Sequence, residues 1–543
     1  MSRKIGANKS YTFEQLKMRF VNSFLFNTSE FSKTAMLNQN PWTSSIVNIG
    51  NLPLGGSNPI RIQSMTNTDT NNTKATVDQV MRLADAGCDY VRMTTQGIRE
   101  AENLYAIKNS LLALGYDVPL IADIHFNPKA AEVAAAIVAK VRINPGNYID
   151  KKRVNYIYSD AEFDEARNQI AERLLPLLEI CKKNKTVIRV GTNHGSLSDR
   201  MLARYGNTSL GMVESALEFV EICRENHFHN LVLSIKSSHV PTMIEANRLL
   251  VARMQAQGYG YPIHLGVTEA GDGEDARIKS AAGIGTLLAL GIGDTIRVSL
   301  TEDPVHEVPV AKKLVANYGQ RQKTNFTIPH VIIGFGSSEI ARQKPPFVLS
   351  SSVAKSADLL INQKNVSQGF ASELSAYKLS YNEADQETLL LRATVDFSLL
   401  MLNTSREGIW IENLGSKNHE ELAQLGSNIL QGLELRYTKP EYIACPSCGR
   451  TLFNLMEQLA LVREKTHHLV GLKIAVMGCA VNGPGEMADA HYGYVGAGFG
   501  KVNLYKNKAL VSKNIPQDKA VEALIGLIKQ GGDWRDSETI EGK

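Results

Sequence analysis

Between residues 60 and 302, short apolar runs rich in β-branched residues alternate with longer segments whose apolar residues recur at helical spacing. Runs of that length read as strands, and the segments between them as amphipathic helices. Eight such units can be counted. The strand runs are IRIQSMT from Ile60, DYVRMT from Asp89, PLIADIH from Pro119, KVRINPG from Lys140, TVIRVGTN from Thr186, NLVLSIKSS from Asn230, PIHLGVTEAG from Pro262 and DTIRVSLTED from Asp294. TVDQVMRLADAG, PKAAEVAAAIVAK, GMVESALEFVEIC and IKSAAGIGTLLALG are the clearest helices, several with glycine just past the end. Eight strand and helix pairs in about 240 residues predict a closed α/β barrel of the (β/α)8 or TIM type. The alternative is an open doubly wound sheet, which usually has fewer strands and a glycine-rich first turn; no G-x-G-x-x-G follows the first strand run here.

The pattern breaks at about residue 316, where polar text such as SSSVAKSADLLINQKNVSQGF stands beside better-ordered pieces like RATVDFSLLMLN and GIWIENLG. This reads as an inserted middle module, too short for a second barrel and without a constellation that carries chemistry. From Tyr437 the text turns into a compact α/β segment with three clustered cysteines. The expected organisation is an N-terminal extension over 1–45, a barrel over 46–315, a middle module over 316–436 and a C-terminal domain over 437–543. The first 45 residues lack an apolar h-region and a small-residue cleavage site, so they do not read as a secretory signal. Glu14, Glu30 and the mixed composition favour a poorly ordered extension of a cytoplasmic protein over a transit peptide.

Composition narrows the function classes. Hydrophobic residues make up 43% and charged residues 21% of the 543, with no apolar run of the ~18 residues that crossing a bilayer needs, so no membrane role is expected. A net charge of +4 is too small to imply a nucleic-acid partner. Six cysteines are too few for a disulfide scaffold, and Cys88, Cys181 and Cys223 sit in apolar text as buried thiols would.

A polar residue near the C-terminal end of a barrel strand faces the mouth, where barrel enzymes carry their chemistry. Nearly every run offers one: Arg92, Asp123 and His125, Arg142 and Asn144, Arg189 and Asn193, Lys236, Glu269, Arg297 and Ser299. Five are cations, and Asp123 with Glu269 cannot neutralise them all. A single Arg could snorkel or pair locally, but recurrence on five strands calls for a bound anion, and the arginine fork suits phosphate oxygens. A small substrate with two phosphoryl groups fits best. His125 could be structural or catalytic; Glu269 could be a general acid or base, or could balance charge.

CPSCGR places Cys445 and Cys448 at C-x-x-C spacing, and Cys479 follows 31 residues after Cys448 in MGCAVNGPGE. The set suggests metal thiolates. Structural zinc takes four Cys or His ligands, with His491 as a conceivable fourth. A [4Fe-4S] cluster needs only three cysteines if one iron takes another ligand, and Glu486, past an Asn-Gly-Pro-Gly turn, is placed to supply it. Rival readings are another phosphate-handling barrel enzyme backed by a zinc-ribbon-like domain, and a metal-stabilised scaffold without enzymatic activity.

QSMTNT, ADIHF, VRINPGN, HGSL, LGVTEAG, GIGDTIRVSLTEDPV, ACPSCGR and GCAVNGPGE together resemble the 4-hydroxy-3-methylbut-2-enyl diphosphate synthase family of the methylerythritol phosphate route to isoprenoids. The resemblance covers about 59–310 and 437–500. It implies reductive opening of 2-C-methyl-D-erythritol 2,4-cyclodiphosphate, with two electrons supplied by ferredoxin or flavodoxin. It also implies cluster ligation by Cys445, Cys448, Cys479 and Glu486, and diphosphate binding by Arg92, Arg142, Arg189, Lys236, Arg297 and Ser299. Asp123, His125, Asn144 and Asn193 would complete the pocket, Glu269 would act near the reacting carbons, and Asn482 would face the substrate from the cluster side. Shorter members of the family are homodimers, whereas longer ones carry a spacer domain that lets one chain close on itself. The insert here is intermediate in size, leaving both arrangements open.

Overall fold

The strand runs become strands where they were expected, and an unforeseen hairpin precedes them. The computed structural model describes residues 42–536 except 150–157, 320–329, 334–347, 350–373, 402–407, 415–417, 447, 480–484, 486 and 488. Residues 1–41 of the expected extension, much of the middle module, Asn482 and Glu486 thus lie outside the described residues. The hairpin consists of β1 (Val47–Ile49) and β2 (Leu52–Leu54), paired antiparallel. Its Val47, Ile49 and Leu54 pack on Tyr90, Ile121, Val187 and Val232 at the strands' N-terminal ends, flooring the barrel with apolar side chains.

The barrel strands are β3 (Arg61–Met65), β4 (Tyr90–Thr94), β5 (Leu120–Asp123), β6 (Lys140–Ile143), β7 (Val187–Asn193), β8 (Leu231–Lys236), β9 (His264–Leu265) and β10 (Thr295–Ile296). All are parallel, in the order β8-β7-β6-β5-β4-β3-β10-β9, and a parallel bridge from Leu233 to Ile263 closes the ring. Around them run α1 (Thr73–Asp85), α2 (Ile98–Ala113), α3 (Pro128–Ala135), α4 (Asp160–Asn184), α5 (Ser209–Glu225), α6 (Val240–Ala256), α7 (Gly273–Ser280) and α8 (Glu307–Tyr318). Their starts follow ordinary capping chemistry: Asn72 Oδ1 accepts from Ala75 N before α1, and Ser159 with Glu162 forms a capping box before α4. One expected helix is broken. The run from Ile278 to Gly291 passes from α7 into a π-turn at Ala281–Gly285 and then a further helical turn at Thr286–Ala289. Its glycines allow close packing, since a Cβ on Gly283 would meet Val267 at 2.6 Å and one on Gly285 would meet Val395 of the middle module at 2.3 Å.

Within the middle module, β11 (His330–Ile333), β12 (Val348–Leu349), β13 (Leu374–Tyr381) and β14 (Gly408–Asn413) pair in the order β11-β13-β14-β12. The helix α9 (Gln386–Met401) joins the parallel pair β13 and β14, and α10 (His419–Gly432) follows. The C-terminal sheet runs β15 (Glu441–Ala444), β16 (Lys473–Met477), β17 (Tyr492–Gly498), β18 (Lys501–Lys506) and β19 (Ala509–Pro516), the first three parallel and the last two antiparallel. Two helices, α11 (Leu455–Thr466) and α12 (Gln517–Gly531), cover one face. There Leu459, Val462, Ile474, Leu524 and Ile528 are fully or nearly fully buried, each contributing about 1.5–3 kcal/mol of hydrophobic stabilisation.

Residues Thr43–Lys543 form one unit, and the C-terminal sheet docks on the barrel through named contacts. Ala270, just past β9, bridges in parallel to Ala444, and Gly271 N donates to Ala444 O at 3.3 Å. Arg463 pairs with Asp272, Lys439 with Asp275 at 2.6 Å and Lys279 with Glu441. Lys473 bridges Glu434 (2.7 Å) and Glu441 (3.2 Å), while His239 of the barrel reaches Glu434 at 3.3 Å.

Candidate active site

The inward positions of the barrel strands bring the expected cations together. Asp123 and Arg142 are Cα partners across β5 and β6, and Arg142 and Arg189 across β6 and β7. Room for these long side chains comes from glycine: a Cβ on Gly191 would lie 2.6 Å from Arg142 Nε, and one on Gly266 would lie 2.6 Å from Lys236 Nζ. A cavity of about 720 Å³, counted out to its mouth, is lined by Arg92, Asp123, His125, Arg142, Arg189, Asn193, Lys236, Glu269, Arg297 and Ser299. Cys445, Cys448 and Cys479 line its other side. Barrel and C-terminal sheet of one chain therefore face each other across a single cavity.

Asn144 is not among the lining residues. It is fully buried, and its Oδ1 accepts from Gly146 N at 3.3 Å, capping a short helical turn at Pro145–Tyr148.

Charge balance in the cavity is lopsided. Arg142 Nη1 lies 3.2 Å from Asp123 Oδ1, and Arg92 lies 4.0 Å from the same oxygen. Although burial pushes the Asp123 carboxyl up, Arg92 and Arg142 hold it well below its ordinary range. Burial lowers Arg92 to about 10, assisted by Arg297 and Arg142 and resisted by Asp123. Arg189 and Lys236 are likewise pushed well down, first by burial and then by the neighbouring cations. Arg189 is 1% exposed; its Nη1 donates to Ser234 Oγ at 2.6 Å, while its Nε and Nη2 have no partner among the described residues. Such a group costs free energy until an anion arrives.

The expectation of five unmatched cations needs one correction. Arg297 is held by Glu307 of α8, with Nη2 to Oε1 at 3.0 Å and Nε to Oε2 at 3.2 Å. Glu307 lies on a helix rather than a strand, so strand patterning could not reveal it. Against this, Arg450, two residues after Cys448, also lines the cavity and sits 3.7 Å from Asp123. Six cations thus face Asp123, Glu269 and Glu307.

His125 is kept neutral. Burial foremost, then Arg142, lowers it to about 3, and its Nε2 accepts from Arg142 Nη1. It orients Arg142 rather than adding charge. Glu269 is 5% exposed and adopts φ +49, a left-handed conformation uncommon for a residue with a Cβ and often retained where a functional side chain must be aimed.

The cysteines sit just past strand ends. Cys445 follows β15, Cys479 comes two residues after β16, and Gly478 N donates to Cys445 Sγ at 3.2 Å. None of the six cysteines is in a disulfide. Burial, then Cys448 and Cys479, holds the Cys445 thiol well above its ordinary range, so it ionises only against a cation. No group of three metal-ligating side chains is gathered into a formed centre among the described residues, and Glu486 lies outside them. The donor set of three cysteine thiols on one wall, one accepting a backbone N–H, nonetheless fits an iron–sulfur group better than zinc. His491, the conceivable fourth zinc ligand, stands before β17 at the opposite end of the sheet, where its Nδ1 accepts from Lys473 N at 3.0 Å.

Residues 44–312 match the GcpE TIM-barrel domain, and residues 441–530 match the GcpE protein C-terminal domain. A Bacteroides fragilis protein named 4-hydroxy-3-methylbut-2-en-1-yl diphosphate synthase (flavodoxin) is 43% identical over 602 residues, covering 91% of this chain and 96% of its own. The chain belongs to the GcpE family. Relatives of the same name from Phocaeicola vulgatus (44%, 90% of this chain and 98% of the relative) and Akkermansia muciniphila (43%, 90% and 96%) agree. About 490 residues of this chain are spread over the 602 positions aligned with the Bacteroides protein, so roughly a hundred of those positions have no counterpart here. Among solved structures, an N-acetylneuraminic acid synthetase from Leptospira borgpetersenii superposes with a TM-score of 0.35 at 12% identity, over 52% of this chain and 94% of that one, too slight a likeness to inform function.

Beyond the residues expected from strand ends, this GcpE cavity includes Arg450, Met65 and Thr268. Arg450 stands inside the CPSCGR motif, and its proximity to two cysteines was the signal that could have found it.

Proposed function

We propose that this protein catalyses the reductive ring opening and dehydration of 2-C-methyl-D-erythritol 2,4-cyclodiphosphate to 4-hydroxy-3-methylbut-2-enyl diphosphate in isoprenoid biosynthesis. The observation that carries the reading is one cavity with an excess of buried cations on its barrel wall and three cysteine thiols on the facing wall. Arg92, Arg142, Arg189 and Lys236 bind the two phosphoryl groups and stabilise the charge that grows on phosphate oxygen as the ring C–O bond opens. Arg297, held by Glu307, and Ser299 fix the other end, while Asn193 orients the diphosphate and neutral His125 with Asp123 keeps Arg142 in place. Glu269 supplies the proton for the departing hydroxyl. A [4Fe-4S] cluster held by Cys445, Cys448, Cys479 and Glu486 would supply two electrons, one at a time. Asn482, outside the described residues, is carried over from the family resemblance as a contact to the substrate.

Flavodoxin is the donor named for the relatives and is the donor proposed here, with ferredoxin the alternative. The barrel, middle module and cluster domain are taken as the functional units within 46–315, 316–436 and 437–543, working within one chain rather than as an obligate homodimer. Cysteines without disulfides suit the reducing cytoplasm, and among the described residues no helix is long and apolar enough to cross a membrane. The test is an anaerobic assay of the reconstituted protein with reduced methyl viologen and the cyclic diphosphate. Release of the acyclic diphosphate supports the reading; a brown, iron-loaded protein that leaves the substrate unchanged overturns it.

A further inference from the structure

The function proposed above needs an electron-donating protein but does not say where it binds, and the present inference rests on that reading. We propose that the β17–β18 turn, with the first turn of α11 at the same end of the sheet, is the docking surface for a small acidic flavoprotein. Strands β15, β16 and β17 are parallel, so Cys445, Cys479 and this turn all emerge at the same end of the sheet. The strand that leads into the turn passes close to the cysteine loop: a Cβ on Gly496 of β17 would meet Gly478 O at 2.5 Å and the Phe453 ring at 3.0 Å, whereas one on Gly498 or Gly500 would meet nothing within 4 Å.

The barrel mouth covers the cavity side of the cysteines, so a donor has to approach from this outer rim. At the rim Phe499 is 87% exposed, more than any other large hydrophobic residue described, and Met456 on α11 is 46% exposed. Gly500, at φ +65, makes the tight turn that leaves Phe499 outside. An exposed aromatic side chain is the usual centre of a protein contact.

The charge selects the partner. From Gly498 to Pro516 the chain carries no carboxylate, and of its four lysines Lys506 and Lys508 lie at the far end of β18, where Lys506 pairs in register with Tyr492 and Ala509. Lys501 pairs in register with Pro516 at the cysteine end, and both Lys501 and Lys513 are exposed. Glu457 and Asp518 stand at the same end, but they open α11 and α12, where helix N-termini compensate negative charge. A basic rim around an apolar centre steers an acidic surface into place. Two successive encounters each oxidise one reduced flavin by one electron. Those two electrons, with two protons counted on the neutral acids, break one C–O bond to phosphate and one to hydroxyl, form the C=C bond and release water.

The experiment uses the full-length, cluster-loaded protein with Phe499→Ser and with the double variant Lys501→Glu/Lys513→Glu. Turnover is measured with reduced flavodoxin and, separately, with reduced methyl viologen, and flavodoxin binding is followed by calorimetry. Both variants are expected to raise the flavodoxin KM and Kd by about tenfold or more, to flatten the salt dependence in the double variant, and to leave viologen-driven turnover within about twofold of wild type. Unchanged flavodoxin binding, or equal loss by both electron routes, overturns the proposal. Wild-type protein that binds flavodoxin through this rim yet turns over nothing with viologen would instead overturn the proposed reaction.

Discussion

The two walls of the cavity are built on opposite principles. On the barrel wall Arg92, Asp123, Arg142, Arg189 and Lys236 stand on the strands themselves, so the ladder that pairs Asp123 with Arg142 and Arg142 with Arg189 places them before any ligand arrives. On the cysteine wall the thiols stand beyond strand ends, Cys445 and Cys448 one and four residues after β15 and Cys479 two after β16. The barrel wall carries an excess of buried positive charge; the cysteine wall presents three sulfur donors. Substrate relieves the first and a metal cofactor occupies the second, which is why neither wall is at its energetic best alone.

The contrast can be broken most sharply at the cysteines. Cys448→Ser is expected to lose bound iron and to lower turnover by about 10³-fold or more, the scale of removing a group that acts on the transition state, with little change in ligand-free melting. Iron analysis with the anaerobic assay measures this, and an iron-loaded, active variant would refute the assignment.

Arg189→Met tests the other wall: turnover is expected to fall about 10²-fold, while urea unfolding of the ligand-free protein shows a gain of ~1 kcal/mol or more, because a buried cation with two unpartnered nitrogens is removed. A loss of stability would mean that this wall carries no electrostatic strain. Glu269→Gln is expected to lower turnover by about 10²-fold with an unchanged substrate Kd, since the amide keeps the shape and loses the proton; tighter or weaker binding by calorimetry would point to charge balance instead.

The smallest effect lies where the walls are fastened together. Burial opposes both charges, but contact with Glu434 raises His239 above its ordinary 6.5, while His239 and Lys473 hold Glu434 at about 2 rather than 4.5. A depressed carboxyl contributes stability above 4.5 that is lost as pH falls toward 2. A raised histidine contributes below 6.5, and that contribution is lost as pH rises through its folded value. The fastening is therefore strongest between 4.5 and 6.5. His239→Gln is expected to remove the fall in melting temperature between pH ~6 and ~8, an effect under about 1 kcal/mol for so accessible a pair; an unaltered pH profile would dismiss it.

The eight strands and their mouth-facing residues were legible because barrel strands repeat one period and end in polar residues, as IRVS and VRIN do. The floor hairpin was not, since Val47–Ile49 and Leu52–Leu54 are too short to show alternation. Glu307 was missed because its partner Arg297 lies in a different period, and the break after Ser280 because glycines at helical spacing look the same whether they continue a helix or admit a neighbour. Asn144 shared the pattern of its neighbours but serves as a cap. Arg450 was hidden by its motif, in which the cysteines drew the chemistry.

The parallel bridge between Ala270 and Ala444 joins the immediate neighbours of Glu269 and Cys445. Because side chains alternate along a strand, one residue inserted or deleted on either side would turn the carboxylate or the first thiol to the wrong face. Homologous chains can therefore vary freely in length across the middle module, yet between Glu269 and Ala270, or between Ala444 and Cys445, an insertion or deletion is expected to be lethal to the site.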